Sequence, residues 1–279
     1  MDLSIIIVSW KVREKLQKNL QALFASTGNL SLEIFVVDNN SDDGTAEMVA
    51  REFPNVKLIA NENNLGFAKA NNLAIKQAHG EFILLLNPDM QVTPDTLVKS
   101  LAWAKNNPQA TVSSCRLVNE NGETIKIVRR FPRLCDQLAI VLKIPHFSPG
   151  ILNNYLQTKF DYTVAAKVDS IRGAFFLINV AEYKKLAGGQ LPLLDERYFL
   201  WFEEVDFCRE AYKMGGEVWY APSTTCLDYV GASFSQVKRG QTQQYFRDSM
   251  LSYFQKWEAP WKYRVLKGAW KLIFLCLKK

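Results

Sequence analysis

Four clusters of side chains in this 279-residue chain could do chemistry. Three of them directly follow apolar runs: Ser9-Trp10, Asp38-Asn39 and Asn87-Pro88-Asp89. In an open α/β sheet, ligands sit beyond the carboxyl ends of the strands, so these are the positions where a cleft would form. An acid there can accept from a nucleoside base or a ribose hydroxyl, or hold a cation. It can equally cap a helix or shape a turn. The fourth cluster, Glu203-Glu204-Val205-Asp206, follows the aromatic stretch Tyr198-Phe-Leu-Trp-Phe202. Carboxylates in a first helical turn are ordinary, because the exposed N–H groups favour anions there. With an aromatic wall beside them, they also fit a general base that takes a proton from a hydroxyl.

The elements that must position these groups alternate in type. Residues 3–8 form a continuous apolar, β-branched run, the pattern of a buried parallel strand. Leu16, Leu20, Leu23 and Phe24 follow at helical spacing. Strands over 33–38, 56–60 and 82–86 are separated by helices over 45–52 and 66–78. Pro94 then opens a helix to about residue 106, at a position where a first-turn proline is tolerated. Such alternation predicts an α/β fold whose mostly parallel central sheet carries helices on both faces. Beyond residue 110 the pattern loosens. A strand over 110–116 leads to a hairpin turn at 119–122, and 131–167 is expected as a long loop with one helix. A strand over 169–178 around Gly173, a helix over 203–214 and a short strand over 217–220 before Pro222 complete it. One α/β domain over 1–240 with a helical appendage over 241–279 is expected.

Composition excludes several classes. A chain 48% hydrophobic, 22% charged and 12% aromatic is neither disordered nor fibrous. No apolar run approaches the roughly 20 residues of a spanning helix. The first strand begins without a charged leader, so a cytoplasmic chain is expected. Five scattered cysteines without a CxxC pair, and only two histidines, imply reduced thiols rather than a zinc site or disulfide framework. The net charge is +6, but residues 255–279 hold seven basic side chains against Glu258 alone. The remainder is neutral, which argues against a nucleic-acid groove. Neither GxGxxG after a strand nor GxxxxGK[ST] occurs, disfavouring dinucleotide oxidoreductases and P-loop ATPases. The phosphates of a bound nucleotide would then be neutralised by Asp89 and a divalent cation.

Six segments in order carry a resemblance: Ile7-Val-Ser-Trp10, residues 36–45 (VVDNNSDDGT), residues 64–72 (NLGFAKANN), residues 84–89 (LLLNPD), Gly173-Ala-Phe-Phe176 and residues 194–209. The chain resembles family 2 inverting glycosyltransferases of the GT-A fold, particularly the bacterial rhamnosyltransferase-like branch. The resemblance implies that Asp38, with Val8, Ser9 and the adjoining Asn39, contacts the base and ribose of a nucleotide-sugar donor. Gly66 and Asn71 would shape the donor pocket. Asn87-Pro88-Asp89 would be this branch's metal-binding motif, with Asp89 holding Mg²⁺ or Mn²⁺ on the diphosphate. Glu204 stands at the position of the catalytic base, with Glu203 and Asp206 as neighbours. The implied reaction is a single displacement with inversion onto a hydroxyl of a glycan, often a lipid-linked one, in polysaccharide synthesis.

Three positions depart from the family pattern. Lys11 stands where Asn is frequent, and Glu204 where many members have Asp. Asp228 replaces a usual His; it could still bind a hard cation but could not donate to phosphate while ionised. The changes at Lys11 and Asp228 support a rival, a nucleotide-sugar-binding module that kept the fold and lost the chemistry. A nucleotidyltransferase would need a glycine- and lysine-rich phosphate loop near the N-terminus, and the sequence has none.

In the appendage, Phe246, Met250, Phe254 and Trp257 recur at the spacing of a packed helix face, which Ala259-Pro260 ends. From 261 on, Arg264, Lys267, Lys271 and Lys278 fall on one stripe, with Trp261, Val265, Leu266, Ile273 and Leu277 elsewhere around the helix. This pattern predicts an interfacial helix that holds the enzyme peripherally on the cytoplasmic face of a membrane. The alternative is a terminal helix docked on the catalytic domain with solvated lysines.

Overall fold

The computed structural model describes residues 1–229 and 239–277. Its elements in chain order are β1 (Leu3–Ser9), α1 (Arg13–Phe24), β2 (Leu32–Asp38), α2 (Thr45–Glu52), β3 (Lys57–Ala60), α3 (Phe67–Ile75) and β4 (Phe82–Leu86). After these come β5 (Met90–Val92), α4 (Thr96–Asn106), β6 (Ala110–Val118), β7 (Val128–Arg129), α5 (Leu134–Val141), β8 (Ala166–Lys167) and β9 (Ser170–Ile171). The chain continues through β10 (Phe175–Asn179), α6 (Val180–Leu186), α7 (Glu203–Lys213), β11 (Glu217–Asp228), α8 (Arg239–Trp257) and α9 (Pro260–Leu277).

The main sheet runs in the order β3-β2-β1-β4-β10-β6-β11-β5, with β8 on β11. β1 is buried at every position, as its unbroken apolar run requires of a strand covered on both faces. It lies parallel to β2 and β4, and β6 lies parallel to β11. β10 runs antiparallel to both β4 and β6. That reversal sets Phe175 opposite Leu86, so the residues entering β10 meet those leaving β4. β5, antiparallel to β11, sets Asp228 opposite Met90. The acids at 89 and 228 are therefore neighbours by register.

Several expected elements take a different form. The strand over 169–178 is two strands in different sheets, β9 pairing with β7 and β10 with β4. The segment between them leaves the sheet to line a cleft. The short strand before Pro222 instead continues to Asp228, with its register shifted between Tyr220 and Thr225. Proline has no N–H to give a ladder and is accommodated at such an irregularity. α4 begins two residues beyond Pro94, at Thr96. α6 has no strong sequence periodicity and is started by the Asn179 side chain accepting from the Glu182 N–H at 3.1 Å.

The helical appendage is packed. Met250, Tyr253 and Phe254 of α8 are buried with Leu266 and Trp270 of α9, Val141 of α5, and Tyr198 and Phe202. The expected apolar face of α8 is thus core. Beside it lies a polar fastening: the buried Asp206 carboxylate accepts from Tyr198 Oη (3.0 Å), Lys256 Nζ (2.6 Å) and Trp257 Nε1 (2.5 Å). Lys256 also pairs with Asp195 at 2.9 Å and Glu210 at 2.7 Å. Breaking a buried ion pair leaves an uncompensated group and typically costs several kcal/mol, whereas an exposed pair is worth little. Asp206→Ala is therefore expected to lose about 3 kcal/mol in urea unfolding. Removing the exposed Arg51–Glu52 pair should cost less than about 1 kcal/mol. Equal losses would contradict the assignment of Asp206 as a fastening point.

Candidate active site

A cleft of about 450 Å³ opens at the carboxyl ends of β1, β2 and β4. Its floor is Val8, Asn39, Gly66 and the Asn87-Pro88-Asp89 turn, and its far wall is Phe199, Trp201, Glu203 and Glu204. Each side chain is held there by identifiable bonds. Asn39 donates to Asn64 Oδ1 (2.9 Å) and the Gly66 carbonyl (3.2 Å) and accepts from the Leu65 N–H (3.0 Å). Gly66 has φ +80°, and a Cβ there would stand 2.4 Å from the Phe199 carbonyl oxygen. That carbonyl accepts from the Phe67 N–H at 2.7 Å, which locks α3 to the far wall. The Asn87 carbonyl accepts from Asn19 Nδ2 at 3.0 Å. Trp201 and Phe202 both have positive φ, a conformation unfavourable for bulky side chains, and they turn the chain into α7 so that its first acids enter the cleft.

Of the twelve residues given a site role from the sequence, seven line this cleft, namely Val8, Asn39, Gly66, Asn87, Asp89, Glu203 and Glu204, and their cluster neighbours Trp10 and Pro88 line it too. Five do not. Ser9 is fully buried beneath the floor, and Asn71 points back to the Phe67 carbonyl at 2.9 Å. Asp38 is buried at the cleft edge, accepting from the Ser41 hydroxyl. Asp206 faces away toward α8, for the reason given above. Asp228 lies one layer behind, with Oδ2 accepting from Arg172 Nη1 at 2.9 Å. The stretch that follows it, 230–233, lies outside the described residues, as does Lys278.

Sequence reasoning missed Arg172, Gln241 and Tyr245, which line the cleft. Arg172 precedes the matched Gly173 by one residue, and a cation at the mouth of a strand was the available signal. Gln241 and Tyr245 are one helical turn apart on α8, and Tyr245 stacks on Phe199 with ring centroids 4.3 Å apart.

The electrostatics divide the cleft in two. On the α7 side, burial pushes the Glu203 carboxyl well above the ordinary glutamate range, and the neighbouring Glu204 charge adds to the effect. Burial raises Glu204 too, while its own backbone N–H and the Arg172 guanidinium pull it partly back. Glu203 Oε2 and Glu204 Oε2 are buried without hydrogen-bond partners among the described residues. On the β4 side, burial raises Asp228, Arg172 opposes this, and the Asp89 charge adds to it. Asp228 Oδ1 is buried and has no hydrogen-bond partner among the described residues. An orphaned carboxylate oxygen beside a second carboxylate fits a divalent cation. No group of three or more His, Cys, Asp or Glu is placed to hold one metal ion among the described residues, so a cation at Asp89 and Asp228 would take its remaining ligands from phosphate oxygens and water, as Mg²⁺ prefers.

The model of the family described as glycosyl transferase family 2 matches residues 4–172, more than half of the chain. The chain belongs to glycosyl transferase family 2. Among its relatives is the N-acetylglucosaminyl-diphospho-decaprenol L-rhamnosyltransferase of Mycobacterium tuberculosis, 23% identical over 96% of this chain and 90% of the relative. The rhamnosyltransferase WbbL of Escherichia coli is 24% identical over 87% of this chain and 90% of its own length. Among solved structures, S. aureus TarS with UDP superposes with a TM-score of 0.59 at 18% identity, covering 91% of this chain and 72% of that one. The Pyrobaculum calidifontis mannosyltransferase with GDP-Man and Mn²⁺ gives 0.59 at 17% identity, over 97% and 69%. Those two likenesses establish the GT-A fold. This glycosyltransferase therefore builds its candidate site where the fold places strand ends, and completes it with α7 and α8.

The raised acids of this glycosyltransferase have a consequence for stability. The folded chain binds protons at 203 and 204 more tightly than the unfolded chain, so their contribution is present below the ordinary glutamate value of 4.5 and is lost as pH rises through the raised values. Glu203→Gln keeps the shape and removes the charge. It is expected to melt a few degrees above the unsubstituted protein at about pH 8, with the gap closing toward about pH 4. A gap that widens on acidification would reverse the sign and contradict the burial of this pair.

Proposed function

We propose that this glycosyltransferase moves a sugar from a nucleotide-diphosphate donor to a hydroxyl of a glycan or lipid-linked glycan acceptor, with inversion. The observation that carries this reading is that Asp89 and Glu204 line the same cleft. The donor's nucleoside would rest on Val8 and Asn39 beside Asp38, and its diphosphate near Asn87, Asp89 and Arg172. Arg172 is held at its Nη1 by Asp228, which leaves its other donors for phosphate oxygens. A Mg²⁺ or Mn²⁺ ion held by Asp89 and Asp228 would supply positive charge for the departing diphosphate.

Glu204 takes the proton from the acceptor hydroxyl as that oxygen attacks the anomeric carbon. Its burial favours the neutral acid, so the carboxylate is a stronger base than an exposed one once ionised. Glu203 sits beside it as the more deeply buried partner whose charge is suppressed first. Phe199, Trp201 and Tyr245 give the sugars apolar faces to lie against. Rhamnosyl donors come first among candidates, because both relatives described above carry that name.

The test is transfer or slow donor hydrolysis with dTDP-, UDP- and GDP-sugars, with and without Mn²⁺. Chelation and Asp89→Ala should each abolish turnover. Glu204→Gln should lower turnover by about 10²–10⁴-fold, the usual contribution of a general base, while nucleotide binding by thermal shift is retained. The acid limb of the rate profile should lie above the ordinary glutamate value, because the base works only when ionised. Turnover unchanged in Glu204→Gln would refute the base assignment. Metal-dependent nucleotide binding without turnover of any donor would select the non-catalytic module instead.

A further inference from the structure

We propose that α9 and the turn following α5 form one surface that lies on an anionic lipid bilayer. Nine large apolar side chains are exposed among the described residues, and six of them fall in two short segments. Leu142, Phe147 and Ile151 follow α5, in and around the two 3-10 turns Ile144–His146 and Pro149–Leu152. Trp261, Val265 and Leu272 lie on α9. The two segments are joined in space, since α5 packs along α9 and Val141 shares its core with Leu266, Ala269 and Trp270. Phe147 is 90% exposed, a state that burial in another apolar medium would relieve.

The wheel of α9 separates three faces. Leu266, Ala269 and Trp270 turn inward against the core. Trp261, Val265 and Leu272 share a narrow arc beside that face, about a third of a turn from its centre. Arg264, Lys267 and Lys271 form an exposed stripe along one edge of that arc. No acidic residue occurs anywhere in Pro260–Leu277, and Lys143 adds an exposed cation next to Leu142. Trp and aliphatics bordered by cations complement the headgroup and acyl boundary of an anionic leaflet. Self-association would instead bring two acid-free basic helices together, so a second copy of the chain is the poorer occupant. No helix among the described residues is long and apolar enough to cross a membrane, so the contact is one of lying on the surface.

The surface deepens the proposed function and rests on its lipid-linked acceptor only for its use. α8 carries Gln241 and Tyr245 into the cleft and, after a break at 258–259, is followed by α9 packed against it, which would bring the cleft to the bilayer. Vesicle binding is read without any turnover, so loss of either reading leaves the other standing.

The experiment is cosedimentation of the full chain with phosphatidylcholine vesicles and with phosphatidylcholine–phosphatidylglycerol vesicles, in low and high salt. The unsubstituted protein should partition at least about tenfold more onto the anionic vesicles, with the preference shrinking in high salt. Each cation near such a surface is worth about fivefold, so Lys267→Glu/Lys271→Glu should lose about thirtyfold or more. Trp261→Glu/Leu272→Glu and, separately, Phe147→Ser should each reduce partitioning at an unchanged melting temperature. No preference for anionic vesicles overturns the proposal. An unaffected Phe147→Ser overturns the two-part surface. A dimer in sedimentation equilibrium that Trp261→Glu/Leu272→Glu dissociates would show that a second copy is the occupant, and would overturn it as well.

Discussion

A single buried carboxylate fixes the half of the cleft that the sheet cannot build. Asp206 holds Tyr198, Lys256 and Trp257 at once, and so fastens the aromatic loop before α7 to α8 behind it. The far wall is drawn from the segments that contact joins. Phe199 and Trp201 come from the fastened loop, Glu203 and Glu204 from the same helical turn as Asp206, and Gln241 and Tyr245 from the fastened helix. One turn of α7 therefore has two jobs. Its outward side gives one buried carboxylate three hydrogen-bond donors, and its inward side leaves two carboxyl groups poorly satisfied. The first fixes where the turn lies, and the second leaves carboxyl groups of raised proton affinity, which a general base requires.

The other half of the cleft depends on one reversed strand. Had β10 run parallel to β4, its incoming residues would lie at the opposite end of the strands, away from the Asn87-Pro88-Asp89 turn. Running antiparallel, it delivers Arg172, Gly173 and Ala174 to the Asn87-Pro88-Asp89 turn. Arg172 then links both halves, paired to Asp228 on one side and moderating the Glu204 carboxyl on the other. A cation of fixed charge between the acid that would serve diphosphate and the acid that would serve the acceptor keeps the two from destabilising each other. Gly66 is required for a separate reason: the Phe199 carbonyl occupies the space a side chain would need.

What the sequence made legible was local. Asp89, Asn39 and the first turn of α7 could be placed because each directly follows an apolar run or opens a helix, and strand-end logic needs no more than that. The tertiary pairings were not legible. Glu203, Glu204 and Asp206 look alike in a first turn, and only the docking of Lys256, fifty residues later, sends Asp206 away from the cleft. Asp228 and Arg172 are likewise joined by the registers of β5, β10 and β11, which no local pattern encodes. Pro222 read as a strand terminator because its missing N–H usually is one, yet a register shift absorbs it. The apolar turn after α5 showed only as an irregular, proline-containing loop, and its exposure became visible beside α9.

The most direct measurement of the two-walled cleft is hydrogen exchange of the full chain with and without a nucleoside diphosphate and Mn²⁺. Amides at 64–67, 87–89 and 172–174 should slow on binding, and those at 199–204 should slow with them, because the Phe199 carbonyl and the α7 turn close the same space. Slowing confined to the strand ends, with 199–204 unchanged at saturating nucleotide, would mean that the far wall belongs to no donor site and would contradict the central claim.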